Sequence, residues 1–291
     1  MTKATNDRPI DDVSGMETTG HEWDGITELD SPLPRWWLWT YYACIIWSVA
    51  YWIAMPAWPL VSDYTKGLLG YSQRGQLSDE IAAVKAGQAD LAARTAKASL
   101  TEIKSDPELL EYALAGGRSA FAVNCIQCHG SGASGSDGYP NLNDDDWLWG
   151  GTMEAIHTTI QYGIRAEHDD SRASDMPAFG QDEMLNPQQV DAVADYVMAL
   201  SRDDGVADTL PGKLVFAENC VDCHGAKGQG DIELGAPNLR DHIWLYQGGK
   251  TMAVDIVTNS RAGMMPAWVD RLDPVTVKQL AVYVHSLGGG E

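Results

Sequence analysis

Two runs of this chain hold cysteine and histidine in a spacing that can do chemistry: Asn124-Cys125-Ile126-Gln127-Cys128-His129-Gly130 and Asn219-Cys220-Val221-Asp222-Cys223-His224-Gly225. Two thiols three residues apart lie on one side of a helical turn, where each can add to one vinyl group of a haem. The histidine that follows is left facing the iron, and Cys-x-x-Cys-His is the attachment signature of c-type haem. A Cys-x-x-Cys pair alone also serves zinc sites, redox disulfides and structural bridges. A zinc site would have to pool thiols from motifs far apart in the chain and would leave both histidines without a task. Two copies, each followed at once by histidine, select haem.

A haem iron held by one histidine has a second axial position. Met176-Pro177-Ala178-Phe179 follows the first motif and Met265-Pro266-Ala267-Trp268 follows the second. Thioether is a soft ligand that favours ferrous iron and raises the potential relative to two histidines. A lone methionine is more often core filler, but a Met-Pro at matching places in both copies is not lone. The candidate residues are therefore Cys125, Cys128, Cys220 and Cys223 for covalent attachment, and His129, Met176, His224 and Met265 for the irons. Spacing leaves both pairings open: each methionine on the histidine of its own repeat, or the two exchanged. His168 sits in a loop that is longer between Arg165 and Met176 than between Arg261 and Met265. It competes with Met176 as a ligand, although a solvated loop histidine is the ordinary reading.

These motifs belong to an internal duplication. FAVNCIQCHG (121–130) aligns with FAENCVDCHG (216–225), Pro140-Asn141-Leu142 with Pro237-Asn238-Leu239, Trp147-Leu148 with Trp244-Leu245, and LNPQQVDAVADYVMAL (185–200) with LDPVTVKQLAVYVHSL (272–287). The last pair has proline near the start and a helical apolar period. Two domains follow, 108–203 and 204–291. Asp106 and Pro107 mark a helix start ahead of the first.

Of the 291 residues, 20 are Lys or Arg and 41 Asp or Glu, a net charge of −21. That excludes nucleic acid as a partner, because its binding needs cations at phosphates. It favours a partner with a basic docking face, while solubility alone is a competing account of the acidity. Four of the five cysteines lie in the motifs, and the fifth, Cys44, reads as packing in an apolar run. From Trp36 to Ser62, 27 residues carry no charge and the ends are rich in Trp and Tyr. About 20 apolar residues suffice to span a bilayer, and such rings collect at its interfaces. We read 36–62 as one retained transmembrane helix, 1–35 as a mostly flexible cytoplasmic tail, and 63–107 as a linker with a polar helical spacer over 76–104. The fold class is all-α.

Each repeat resembles a class I cytochrome c domain: a helix, Cys-x-x-Cys-His, a Pro-x-Leu segment, a Met-Pro loop and a closing helix. The whole chain, with its Trp-rich run and the Gly-Tyr-Ser-Gln-Arg segment after it, resembles the di-haem subunit III of cbb₃-type cytochrome c oxidases. The resemblance implies two covalently bound haem c groups. It implies exchanged methionines, His129 with Met265 and His224 with Met176, the pairing we favour. It implies that the carbonyls of Pro140 and Pro237 accept the Nδ1–H of His129 and His224, and that Gly117/Phe121 and Gly212/Phe216 face Val193/Tyr196 and Leu280/Tyr283. Arg165 and Arg261 are candidates for haem propionates or for plain surface positions.

The function implied is electron conduction. A donor c-type cytochrome, basic at its docking face, would deliver electrons that pass to a catalytic haem–copper oxidase subunit accompanied by a further cytochrome c subunit. This chain would do no bond chemistry itself. It would sit in the bacterial inner membrane by its single span, with both haem domains in the periplasm, where c-type haem is attached. Two other readings compete: the electron-transfer subunit of another respiratory complex, quinone-linked or of a nitrogen-oxide pathway, and a haem peroxidase or gas sensor.

Overall fold

The computed structural model describes residues 8–202 and 205–289. The first residues of the expected tail and the expected boundary at 203/204 lie outside them. Two compact units are present, one running to Ala86 and one beginning at Gly87.

In the first unit a hairpin precedes the helices, so the chain is mostly helical rather than all-α and the 1–35 segment is not simply a flexible tail. Strand β1 (Thr18–Trp23) pairs antiparallel with β2 (Ile26–Leu29), with Trp23 opposite Ile26. Asp24 and Gly25 form the two-residue connection, both at positive φ (48° and 84°). Asp-Gly is a favoured pair for such a turn because its twist matches that of the strands. The Trp23 indole N–H donates to Glu28 (3.0 Å), and Arg8 pairs with Asp30.

Helix α1 covers Arg35–Ala54, and none of its residues, Cys44 included, is buried. It stops at Met55 because Pro56 follows, and the residue before proline is pushed out of the helical region. The chain then folds back, and the amides of Leu68 and Leu69 bond the Ile53 and Ala54 carbonyls (2.9 and 3.0 Å) that α1 leaves open. Gly67 sits at this return with φ +68°, against the Ala54 carbonyl, where a side chain has no room. The charge-free run of 36–62 is thus a 20-residue helix followed by a loop, not one helix. Among the described residues no helix is long and apolar enough to cross a membrane. α1 has the length, but its many Trp and Tyr rings lower its mean hydropathy. Helix α2 (Gln73–Gly87) follows and buries none of its side chains.

The second unit opens with α3 (Ala89–Lys97) and α4 (Leu100–Ser105), started by a reciprocal cap between Ser99 and Glu102. Helix α5 (Pro107–Asn124) starts where Asp106 accepts from the amides of Glu108 and Leu109, with Pro107 in its first turn. The short α6 (Ile126–His129) carries the first motif. Then come α7 (Met153–Tyr162), α8 (Pro187–Leu200), a 3₁₀ turn (Val206–Thr209), α9 (Gly212–Asn219) and α10 (Val221–His224) with the second motif. Helices α11 (Lys250–Asn259) and α12 (Pro274–His285) close the chain.

Packing does not follow the repeats. One core joins Leu109, Ala113 and Phe121 of α5 and Met153, Ile156 and Ile160 of α7 to Val277, Leu280 and Val284 of α12. The other joins Val190, Val193 and Tyr196 of α8 to Phe216 of α9 and Val257 of α11. The glycine crossings show it most directly. A Cβ on Gly117 would run into the Gln279 carbonyl and Tyr283, and one on Gly212 into the Ala192 carbonyl and Tyr196. Phe121 lies 5.5 Å from Tyr283 and Phe216 5.1 Å from Tyr196. The expected helix faces are therefore reversed: α5 meets α12, and α9 meets α8. A short link after α8 lets it fold directly onto α9, and neighbours in sequence tend to pack, so α5 takes the closing helix of the second repeat instead.

Only the end of the 76–104 segment, within the second unit, is packed on the first core. Leu100 and Ile103 belong to the first core, Thr95 is buried, and the Lys278 ammonium of α12 donates to the carbonyls of Thr95, Ala96 and Ala98 at the end of α3 (3.3, 2.9 and 2.7 Å).

Candidate haem centres

At the first centre, the α5 helix delivers Cys125, and one further turn brings Cys128 and His129 round. The His129 Nδ1–H donates to the Pro140 carbonyl over 3.2 Å. The loop between them is tight: Gly135 (φ +66°) lies so close to Tyr139 and Asn141 backbone that a Cβ has no place, and its amide bonds the His129 carbonyl (2.9 Å). Burial holds the imidazole below its usual range, only partly countered by that carbonyl. His129 is therefore neutral with Nδ1 committed, which leaves Nε2 as the free metal-binding nitrogen. Burial, and then the neighbouring Cys128, push the Cys125 thiol up to about 11. It is a protonated thiol at neutral pH, not the low-pKa thiolate of a redox pair.

Cys125, Cys128 and His129 open on a cavity of about 420 Å³ walled by Ile160, Leu280 and Val284, and Met265 lines the same cavity. A backbone ladder keeps Met265 there: its amide bonds the Ile164 carbonyl (3.0 Å) and its carbonyl accepts from Ile164 (2.9 Å). Gly163 (φ +74°) makes this approach possible, since a side chain would strike the Met265 carbonyl. The neighbouring Met264 is largely exposed, at 68 %.

The second centre repeats the plan with Cys220, Cys223 and His224. His224 is buried, its Nδ1–H donates to the Pro237 carbonyl (3.2 Å), and burial likewise holds it neutral. Burial, followed by Cys223, pushes Cys220 up to about 11. Met176, like Cys220, Val221 and Trp244, packs partly buried against the second core. Its carbonyl accepts the Ser260 hydroxyl (2.7 Å). Each methionine is thus anchored to the other repeat.

Residues 15–62 match the family model of the N-terminal domain of cytochrome oxidase-cbb3, FixP. Residues 113–197 and 207–284 match that of cytochrome C oxidase, cbb3-type, subunit III. The chain is 51% identical over 290 residues to the Cbb3-type cytochrome c oxidase subunit FixP of Rhizobium meliloti (strain 1021), covering 99% of this chain and 100% of the relative. It is 51% identical over 290 residues to subunit CcoP of Azospirillum sp. (strain B510), covering 97% and 98%. The chain belongs to the cbb3-type cytochrome c oxidase subunit III family. As a member it is an electron-transfer cytochrome subunit of that membrane-bound oxidoreductase complex, with covalent haem c in its cytochrome c domains.

The residues of this subunit III chain fit that group. Two thiols, an imidazole and a thioether meet at one mostly apolar cavity, and the donor set is the one low-spin haem iron takes. Arg165 lines the cavity, donating to the Gly263 and Ser174 carbonyls (both 2.7 Å). Arg261 instead pairs with Asp255 (2.7 Å) and is half exposed, which makes it the surface alternative. His168 turns away from ligation: it packs on Tyr162 (4.9 Å), and its Nδ1 accepts the Asp170 amide (3.0 Å). Sequence reasoning missed Arg172, whose guanidinium lies 5.2 Å from the centre of the Trp149 ring and whose Nε is buried with no hydrogen-bond partner among the described residues. It also missed Trp149, a buried wall of the cavity. The repeat alignment points to Trp149, which matches Tyr246. No spacing in the sequence points to Arg172.

Proposed function

We propose that the chain holds two haem c groups in exchanged fashion. Cys125 and Cys128 attach one, held by His129 and Met265. Cys220 and Cys223 attach the other, held by His224 and Met176. When bound, each haem supplies reversible one-electron chemistry. The protein keeps both imidazoles neutral by burial, fixes their orientation by committing Nδ1–H to the Pro140 and Pro237 carbonyls, offers thioethers that raise the potential, and walls the first site with Ile160, Leu280 and Val284. With histidine and methionine both committed, no position is reserved for a substrate. Electrons from a donor c-type cytochrome with a basic docking face enter here and leave toward a further cytochrome c subunit and the catalytic haem–copper subunit, where oxygen is reduced to water. The charge-free stretch 36–62, rich in Trp and Tyr and unburied along its helical part, serves as the single membrane anchor. The repeats over 108–203 and 204–291 stand on the periplasmic side of the inner membrane.

The observation that carries this reading is Met265 in the wall of the cavity that Cys125, Cys128 and His129 open on. It is tested in the purified membrane complex with Cys220→Ser and Cys223→Ser, which leaves one haem. Adding Met265→His is expected to shift that haem's reduced-minus-oxidised spectrum and lower its potential, while adding Met176→His leaves both unchanged. The reverse result assigns the methionines within the repeats, and a parent chain with fewer than two covalent haems sinks the reading.

A further inference from the structure

Trp149 and Tyr246 hold matching places in the two repeats, in Trp147-Leu148-Trp149-Gly150-Gly151 and Trp244-Leu245-Tyr246-Gln247-Gly248-Gly249. Each ring reaches across to the other repeat. A Cβ built on Gly235 would collide with the Trp149 indole, and one on Gly138 would lie 3.2 Å from Tyr246 Cε1. Both glycines have positive φ (+60° and +78°), which lets bare backbone run flush against a ring. Each also stands two residues ahead of the proline whose carbonyl holds a histidine: Gly138 before Pro140 and His129, Gly235 before Pro237 and His224. Each ring therefore presses on the loop that fixes the opposite centre's imidazole.

One backbone bond and one backbone-to-side-chain bond lock the crossing. The Gly138 amide donates to the Leu245 carbonyl (2.7 Å), and the Gln247 amide to the Asp137 carboxylate (2.8 Å). Trp149 and Leu245 also line the His129 cavity. Trp149 thus touches the first centre with one side and the His224 loop with another. Arg172 covers the Trp149 face and Arg261 the Tyr246 face, at 5.2 and 5.7 Å from the ring centres, a placement that holds a ring by its electron-rich surface.

We infer that the Trp149 and Tyr246 rings form the bridge through which an electron passes between the two haem centres. This rests on the proposed function, because it needs both haems. Electron coupling falls steeply across gaps and slowly through bonded or closely packed atoms, and close packing is what these rings provide at the crossing. In the step, one electron leaves the ferrous iron of one centre and reduces the ferric iron of the other. The rings are neither oxidised nor reduced, and no proton moves.

The test uses the full chain in its membrane complex, with Met265→His in every variant so that one haem carries a distinguishable spectrum. One electron is injected by a light pulse, its redistribution between the haems is followed, and haem content and midpoint potentials are measured alongside. Trp149→Leu and Tyr246→Leu are each expected to slow redistribution by about an order of magnitude beyond what any change in their measured midpoint potentials accounts for, with Trp149→Phe and Tyr246→Phe nearer the parent. Unchanged rates in both leucine variants, with both haems present, overturn the inference. Should Trp149→Leu lose the haem whose cavity it lines, Tyr246→Leu decides: its ring is outside that cavity, and an unchanged rate there overturns the bridge. Fewer than two haems in the parent overturns the functional reading and the bridge with it. A parent with two haems and unaltered transfer in the variants overturns the bridge alone.

Discussion

Around His129 the haem motif follows the 18-residue α5, which is braced by α12 on one side and by α3 and α4 on another. Around His224 the same motif follows the eight-residue α9, supported by α8 and the 3₁₀ turn. The methionines differ in the same sense: Met265 is tied into a two-bond backbone ladder, whereas the Met176 backbone takes one hydroxyl bond from Ser260. Duplication therefore copied the proposed ligands and the histidine–proline bond but not the scaffold. What surrounds a haem sets its potential and its resistance to unfolding, so the two centres are expected to differ in both despite equal ligand sets.

The largest effect should come from ending the chain after residue 203. That removes Met265 and α12, the partner of α5, so the remaining motif is expected to show no His/Met spectrum in haem-stained and optical assays. A normal spectrum from that fragment would break the exchanged architecture. Next come the two crossings. Gly117→Ala and Gly212→Ala each force a methyl into a backbone carbonyl and should cost about 1–3 kcal/mol. Thermal melts followed at each haem should show Gly117→Ala loosening the first centre and Gly212→Ala the second.

A smaller change sharpens the contrast in bracing. Lys278→Met removes the cation from the carbonyl end of α3, a loss of about 1 kcal/mol. Amide exchange should rise in α3 and α4 and stay unchanged in α8 and α9. The smallest effect concerns Asp146, in the wall of the first cavity. Burial, then Asp241 and Asp144, push its carboxyl up to about 6 from an ordinary 3.8. A raised carboxyl contributes stability that is complete below 3.8 and lost as pH rises through about 6. Asp146→Asn should therefore melt higher than the parent above about pH 6, and the gap should close toward pH 4.

Much of this was legible in the chain. Cys-x-x-Cys-His names its residues because attachment chemistry demands that spacing, and the Asp106-Pro107 start is a local matter of capping. The hairpin at Asp24-Gly25 was also written locally, and a polar surrounding hid it. The ends of α1 were less legible, because absence of charge does not distinguish helix from loop, whereas Pro56 does. Arg172 was illegible: it acts by lying on Trp149, a contact made only after the intervening loop folds.

By itself the sequence determined the haem chemistry, the duplication and the family, since these depend on residue types at short fixed spacings. Tertiary structure alone decided that Met265 shares a cavity with His129, which helices cross at Gly117 and Gly212, and that Trp149 and Tyr246 meet the opposite repeat. The reason is physical. Two repeats with equivalent apolar faces can pack within themselves or across each other at the level of pattern. The choice falls to the short link after α8, the Ile164–Met265 ladder and the bracing of α5, none of which a repeat alignment contains.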